Sequence, residues 1–350
     1  MPDPPDLSHA PGNAARPSHS GRVVFFHDPD HAAHQGPLDH PERPARVESI
    51  FEHLDATDRL SRYEVITPEA LPPAQRRASR AELERCHPGS YLDAFADTCV
   101  ADRPYFMSPD TPVTADTETI ARRATALALH AARLALQTPG FRGFCAIRPP
   151  GHHATADQAM GFCFLNHAAL VADALLRPEP SIANKFERVV ILDFDVHHGN
   201  GTQALTYDRP DVLFLSLHED PAVQYPGTGH AHETGAPDTA GEGFTVNAPL
   251  PSGTGDDAFL AALDAKVLPR LADFAPDALV FSAGFDAHAD DPLGGLSLTT
   301  ACFHEVTKRT LAALPDRGAA TPIISLLEGG YDLNALASSV AVHVDALGEK

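Results

Sequence analysis

Between Val189 and Asn200 the chain reads Val-Val-Ile-Leu-Asp-Phe-Asp-Val-His-His-Gly-Asn, an apolar, β-branched run that breaks into carboxylates and imidazoles. Strands buried on both faces of a parallel sheet are written this way, and their carboxyl ends deliver side chains into a site. If the strand continues through the polar part, Asp193, Asp195 and His197 fall on one side, because successive side chains alternate faces. An Asp and a His two residues apart on one face suit a divalent metal, with another Asp behind to orient what the metal needs. A lone Asp at a strand end is commonly structural, but two Asp and two His between residues 193 and 198 select the metal reading.

The same pattern sets the fold class. Strand-like runs at Arg22–His27, Phe144–Ile147, Arg188–Phe194, Val212–Leu217, Ala278–Ala283 and Pro322–Leu327 alternate with helical spacing at Arg46–Leu54, Ala115–Leu136, Ala258–Phe274 and Thr299–Leu314. Residues 161–176 start as a loop and become a helix. Strands alternating with helices predict an α/β fold with a central parallel sheet flanked by helices. Ligands of such sheets bind at the carboxyl ends of the strands. The polar clusters obey that rule: His152-His153, Asp195 and His197, His218, Asp286 and Glu328-Gly-Gly-Tyr331 each follow a strand.

With 350 residues and no internal repeat, one catalytic domain over 21–350 is the economical reading. Residues 1–20, rich in Pro, Ser and His without an apolar stretch, read as a disordered tail rather than a signal peptide. No window approaches the roughly 18 apolar residues of a membrane span, so a soluble, cytoplasmic protein with no membrane partner is expected. A net charge of −21 argues against direct nucleic-acid binding and would suit cationic partners. Five cysteines without C-x-x-C spacing read as reduced, mainly buried thiols.

Were Asp195, His197 and Asp286 to meet, two carboxylates and one imidazole would leave an open coordination position, the mark of a catalytic site. Zinc suits these ligands, with Fe(II) and Co(II) left open. His152-His153 can supply a base for a water and an acid for a leaving nitrogen. Tyr331, after two glycines, could sit on a mobile loop and donate its hydroxyl to a developing oxyanion.

Seven blocks in order resemble the signature of the histone deacetylase family, which includes bacterial acetylpolyamine amidohydrolases. They are His40-Pro-Glu-Arg-Pro44, Arg148 to His153, Gly161 to Asn166, Asp193 to Gln203, Pro226-Gly-Thr-Gly229, Gly284-Phe-Asp286 with Asp291 to Gly295, and Glu328 to Tyr331. The resemblance implies an arginase-like single-domain fold and a zinc-dependent amide hydrolase removing acetyl or other acyl groups from lysine side chains or related amines. It implies Asp195, His197 and Asp286 as zinc ligands, His152 and His153 together as the tandem pair that supplies the general base and the general acid, and Tyr331 polarising the acyl carbonyl. Asp193 would bond His152 and share a structural potassium site with Asp195, His197, Ser216 and Leu217. Phe162 and Tyr225 would line a narrow tunnel, Gly151 would offer its carbonyl to the substrate amide, and Asp110 would hold a peptide backbone at the rim. The substrate would be an acylated lysine peptide or an acetylated amine. Oligomeric state stays open, the long first loop being the candidate contact surface of a homo-oligomer.

The chain departs from the family pattern at a few positions. Asn200 stands where class I members carry Asp, which places the chain with the class II branch. Tyr225 replaces the commoner Phe, adding a hydroxyl that must find a partner. Leu293 occupies the place of a polyamine-specific Glu gatekeeper, removing one reason to prefer a polyamine. His167 replaces a second Asn, and the sequence offers no mechanism for it. The competing readings are an acetylpolyamine amidohydrolase, a non-catalytic acyl-lysine reader, and a dinuclear manganese hydrolase using His288 and Asp290.

Overall fold

The computed structural model describes residues 22–101, 103–180, 182–314 and 320–349. The expected disordered tail, residues 1–20, lies outside the described residues. Among the described residues there are eight strands: β1 (Val23–His27), β2 (Glu64–Ile66), β3 (Arg142–Ala146), β4 (Val189–Asp193), β5 (Val212–Glu219), β6 (Thr245–Leu250), β7 (Ala278–Ala283) and β8 (Ile323–Leu327). They make one sheet in the order β2-β1-β3-β8-β7-β4-β5-β6, and every pair is parallel.

Helices cover both faces, so strand residues are buried whichever way they point. On one side Val190, Leu192, Leu215 and Phe281 pack with α1 (Ala45–Ala56), α9 (Thr300–Ala313) and α10 (Leu333–Gly348). On the other, Val189, Ile191, Phe214 and Val280 meet α4 (Thr117–Gln137) and α5 (His167–Leu176). Each such aliphatic or aromatic side chain contributes roughly 1.5–3 kcal/mol by leaving water. In α4 the residues Ala121, Ala124, Ala128, Ala131 and Ala135 form the buried stripe. Their small side chains and helical spacing let the helix lie close to the sheet.

The remaining helices are α2 (Arg80–Leu83), α3 (Gly89–Val100), α6 (Asn200–Thr206), α7 (Asp256–Ala262) and α8 (Leu268–Phe274). The single helix expected over 258–274 is interrupted by a π turn at Leu263–Val267. Pro269, in the first turn of α8, has no amide hydrogen to continue the regular ladder, which accounts for the widened turn. The edge strands β2 and β6 and helices α2, α3, α6 and α10 are not evident in the sequence pattern.

Candidate active site

The four central strands of the sheet, β3, β8, β7 and β4, are adjacent, and four of the polar clusters leave from their carboxyl ends; His218, expected just past a strand, lies within β5 instead. Strand β4 stops at Asp193, earlier than its alternation suggested. The alternation survives the end of the ladder. The Asp193 Oδ1 accepts the Asp195 amide at 3.1 Å and the Asp195 Oδ1 accepts the His197 amide at 2.9 Å, side-chain turns that fix the backbone two residues on. Phe194 and Val196 therefore enter the core while Asp193, Asp195 and His197 face the polar side.

Asp286, just beyond β7, completes a buried group with Asp195 and His197, whose ligand atoms all lie within 4.8 Å of one another. The His197 Nδ1 lies 3.0 Å from the Asp195 Oδ1 and 3.2 Å from the Asp286 Oδ2. Backbone amides hold the carboxylates: Val196 donates to the Asp286 Oδ1 at 2.9 Å and Gly329 to the Asp195 Oδ2 at 2.8 Å. Burial and the neighbouring Asp195 push the Asp286 carboxyl up to about 7. Burial lowers the His197 imidazolium, but the Asp195 and Asp286 carboxylates outweigh it and bring it to about 10. Two buried carboxylates turned toward one imidazole nitrogen form a donor set that fits a divalent cation such as zinc. Two glycines make this approach sterically feasible. A Cβ at Gly329 would stand 1.9 Å from the Asp286 Oδ2, and one at Gly284 2.0 Å from the Asp195 Oδ2.

The tandem histidines lie against this group. The His152 Nδ1 is 3.0 Å from the Asp193 Oδ2, the His153 Nδ1 is 2.7 Å from the Asn200 Oδ1, and the two rings are 4.0 Å apart. Burial alone would lower His152, but the carboxylates of Asp193, Asp195 and Glu328 carry it well above the ordinary imidazole range. His153 is held well below that range by burial and by the neighbouring His152 and His197. Similar side chains thus take opposite protonation preferences, set by what lies behind each ring.

The aromatic residues expected to line a tunnel surround the same place. Tyr225 packs edge-on against His153 with ring centroids 5.2 Å apart and lies 6.3 Å from His197. Phe162 meets Tyr331 at 5.8 Å and His40 at 4.7 Å. Phe162 also sits at φ +67°, a left-handed backbone that few bulky residues adopt. The Tyr225 hydroxyl donates to the Asp110 Oδ2 at 3.3 Å, the partner that the extra oxygen required. Gly151 donates its amide to Glu328, and its carbonyl accepts the Ala154 amide at 3.1 Å. The Leu293 carbonyl accepts from the Gln224 Nε2 at 2.8 Å. Ser216 pairs with Asp193 across β4–β5 and meets the His218 Nδ1 at 2.7 Å, while Leu217 belongs to the core.

Tyr331 is not on a loose loop. It is buried, its amide donates to the Asp291 Oδ2 at 2.6 Å, and the Arg46 guanidinium lies 4.9 Å from its ring centroid. His167 bonds the Pro149 carbonyl and Thr125, each at 3.1 Å, so it supports the turn leading to His152. His288 meets Thr300 at 3.2 Å and the Asp290 side chain is 76% exposed, so neither joins the metal-ligand group.

The charged residues of the blocks, whose role the sequence alone does not reveal, build the frame of the site. Glu42 accepts a two-point contact from Arg148 at 2.8 and 2.6 Å and a third bond from Arg46 at 3.2 Å, all fully buried. Arg46 in turn donates to the carbonyls of Gly330 at 2.6 Å and Glu328 at 2.5 Å. The Glu328 carboxylate gathers the amides of Gly151 at 2.7 Å and His152 at 3.1 Å, and the Ser282 hydroxyl at 3.1 Å. These bonds tie three loops into one frame beneath the histidines. The signal was available: charged residues set beside prolines and glycines in short blocks.

A family model described as the histone deacetylase domain matches residues 40–347. The chain is 37% identical over 296 residues to a histone deacetylase-like amidohydrolase of Pseudomonas aeruginosa, covering 85% of this chain and 73% of that protein. Among solved structures it superposes on the HDA15 HD domain with a TM-score of 0.82 and 31% identity, covering 95% of this chain and 89% of that one. An acetylpolyamine aminohydrolase from Burkholderia pseudomallei superposes with a TM-score of 0.77 and 29% identity, over 93% and 98% of the two chains.

Proposed function

The chain belongs to the histone deacetylase family and is a deacetylase hydrolase, and from that premise we propose that it is a zinc enzyme cleaving acyl groups from a lysine side chain or a related amine. The observation that carries the metal assignment is the convergence of the His197 Nδ1 with the carboxylates of Asp195 and Asp286. Zinc held by these three would acidify a water and polarise the amide carbonyl. His153, its Nδ1 hydrogen turned to the Asn200 oxygen, leaves Nε2 to accept the proton of the attacking water. His152, its Nδ1 turned to the Asp193 carboxylate, supplies a proton for the departing nitrogen. Tyr331 donates its hydroxyl to the oxygen where negative charge develops.

Phe162 and Tyr225 flank the aliphatic stem of the substrate, with Leu293 on a neighbouring loop. The Gly151 carbonyl has a second lone pair for the substrate amide hydrogen, and Asp110 takes backbone donors at the rim. A structural potassium ion at Asp193, Asp195, His197, Ser216 and Leu217 belongs to the same proposal. It is supported by the buried oxygens of Asp193 and Ser216 on adjacent strands. Residues 21–350 act as one catalytic unit. No described helix is long and apolar enough to cross a membrane, and all five cysteines are unpaired. Free thiols suit a reducing compartment, so we assign the protein to the cytoplasm.

The test is metal analysis of the purified protein together with turnover of an acetyl-lysine peptide, acetylputrescine and trifluoroacetyl-lysine. One zinc per chain and hydrolysis of at least one substrate is the expected result. Two manganese ions would favour the arginase-type reading. Zinc with binding but no turnover of any of the three would leave only an acyl-lysine reader.

A further inference from the structure

Asp110 is held in an unusual state for a carboxylate at a rim. Its Oδ2 accepts two bonds, from the Gly161 amide at 3.0 Å and from the Tyr225 hydroxyl at 3.3 Å. Its Oδ1 is buried and has no partner. Oδ2 is thus occupied and Oδ1, though unbonded, is shielded, so a substrate donor reaches the carboxylate only once the Tyr225 hydroxyl gives way. A buried acceptor without a bond is costly to keep, so the arrangement is poised to change once a donor arrives.

The Tyr225 hydroxyl is what completes the closure. Burial and the Asp110 charge push its phenol far up, so it remains a donor at any physiological pH. The bond joins the loop carrying Asp110 to the loop that leads from β5 to β6. The Tyr225 ring meanwhile rests on His153 and is 40% exposed, so ring packing and hydroxyl bonding are separable functions of one residue. The Gln224 side chain, next in the chain, ties the same loop to the Leu293 carbonyl.

We propose that the Tyr225 hydroxyl is a latch on Asp110 that sets substrate preference, disfavouring acyl-lysines embedded in a peptide relative to small acylated amines. A peptide must displace the hydroxyl before its backbone N–H groups reach the carboxylate. A small acylated amine has no flanking amides and enters with the latch closed. The inference rests on the reading of Asp110 as the acceptor of substrate backbone donors.

The experiment compares kcat/KM for an acetyl-lysine peptide and for acetylputrescine in the zinc-loaded wild type and in Tyr225→Phe, Asp110→Ala and the double variant, with thermal unfolding as a folding control. Removing the hydroxyl should raise the peptide-to-amine ratio about 2- to 12-fold, the factor matching one hydrogen bond of roughly 0.5–1.5 kcal/mol. In the Asp110→Ala background the same change should leave the ratio where Asp110→Ala alone put it. An unchanged or lower ratio in Tyr225→Phe, with Asp110→Ala still impairing the peptide, overturns the latch alone. An equal gain in the Asp110→Ala background also overturns it, because the hydroxyl would then act elsewhere. If Asp110→Ala leaves peptide turnover untouched, the reading of Asp110 as a substrate contact fails, and the latch with it.

Discussion

Replacing Asn200 by Asp places a carboxylate where an amide oxygen now stands, 2.7 Å from the His153 Nδ1. The amide holds the imidazole in one tautomer without adding charge. A carboxylate would add an opposite charge about 4 Å from the imidazolium centre, worth about 4 kcal/mol at an effective dielectric near 20. Burial of the new anion and the carboxylates already present reduce this, and opposite charges at such distances typically raise an imidazole by about 1–3 pK units. His153 now lies below the ordinary range, so its neutral form prevails at neutral pH. The limb of the pH–rate profile that reports its protonation should therefore move upward by about 1–3 units in Asn200→Asp, lowering activity at mildly acidic pH. The assay is kcat/KM against pH at equal zinc content. Stability should move the other way. A histidine kept neutral by folding makes the native state less stable as pH falls below its unfolded value near 6.5, and the added carboxylate should soften that loss. A profile unmoved within about 0.3 units would refute the electrostatic account of His153.

Tyr331→Phe should lower kcat by roughly 10²–10³, as removal of one oxyanion donor does, with zinc content unchanged by elemental analysis. Glu42→Gln should destabilise by about 3–5 kcal/mol in urea unfolding, because it strips the charge that faces two buried guanidiniums. Glu42 is also held well below the usual carboxylate range, the two-point Arg148 contact outweighing burial. Its contribution is thus present above pH 4.5 and lost as pH falls toward its native value. Gly329→Ala should abolish zinc binding, since the added methyl would meet both Asp286 and Asp195; an alanine variant with full zinc content would contradict the close-approach argument. Chelation should remove activity, and one equivalent of zinc should restore it.

How much could be read without tertiary structure differs from residue to residue. Asp195 and His197 were legible because their spacing sits at the end of an apolar strand, and Asp286 because it follows another. Tyr331 was legible as a candidate, but its burial under Arg46 and its anchoring by Asp291 were not, since both partners lie far away in sequence. The same holds for Glu42 with Arg148 and for Tyr225 with Asp110, pairs separated by 106 and 115 residues. Helix α10 escaped notice because its all-round apolar character gives little periodic contrast, and β2 because three residues are too few to show a period.

The sequence by itself determined the local outcomes: six of the eight described strands, that Phe194 and Val196 face one way and Asp195 and His197 the other, and which side chains could ligate a metal or move a proton. Those follow from periodicity and side-chain type, which are properties of short stretches. Only the tertiary structure decided that β3, β8, β7 and β4 lie side by side, because strand order is a global packing solution to burying both faces of the sheet. That order brings His152, Glu328, Asp286 and Asp195 to neighbouring strand ends, although they come from positions scattered over more than half the chain.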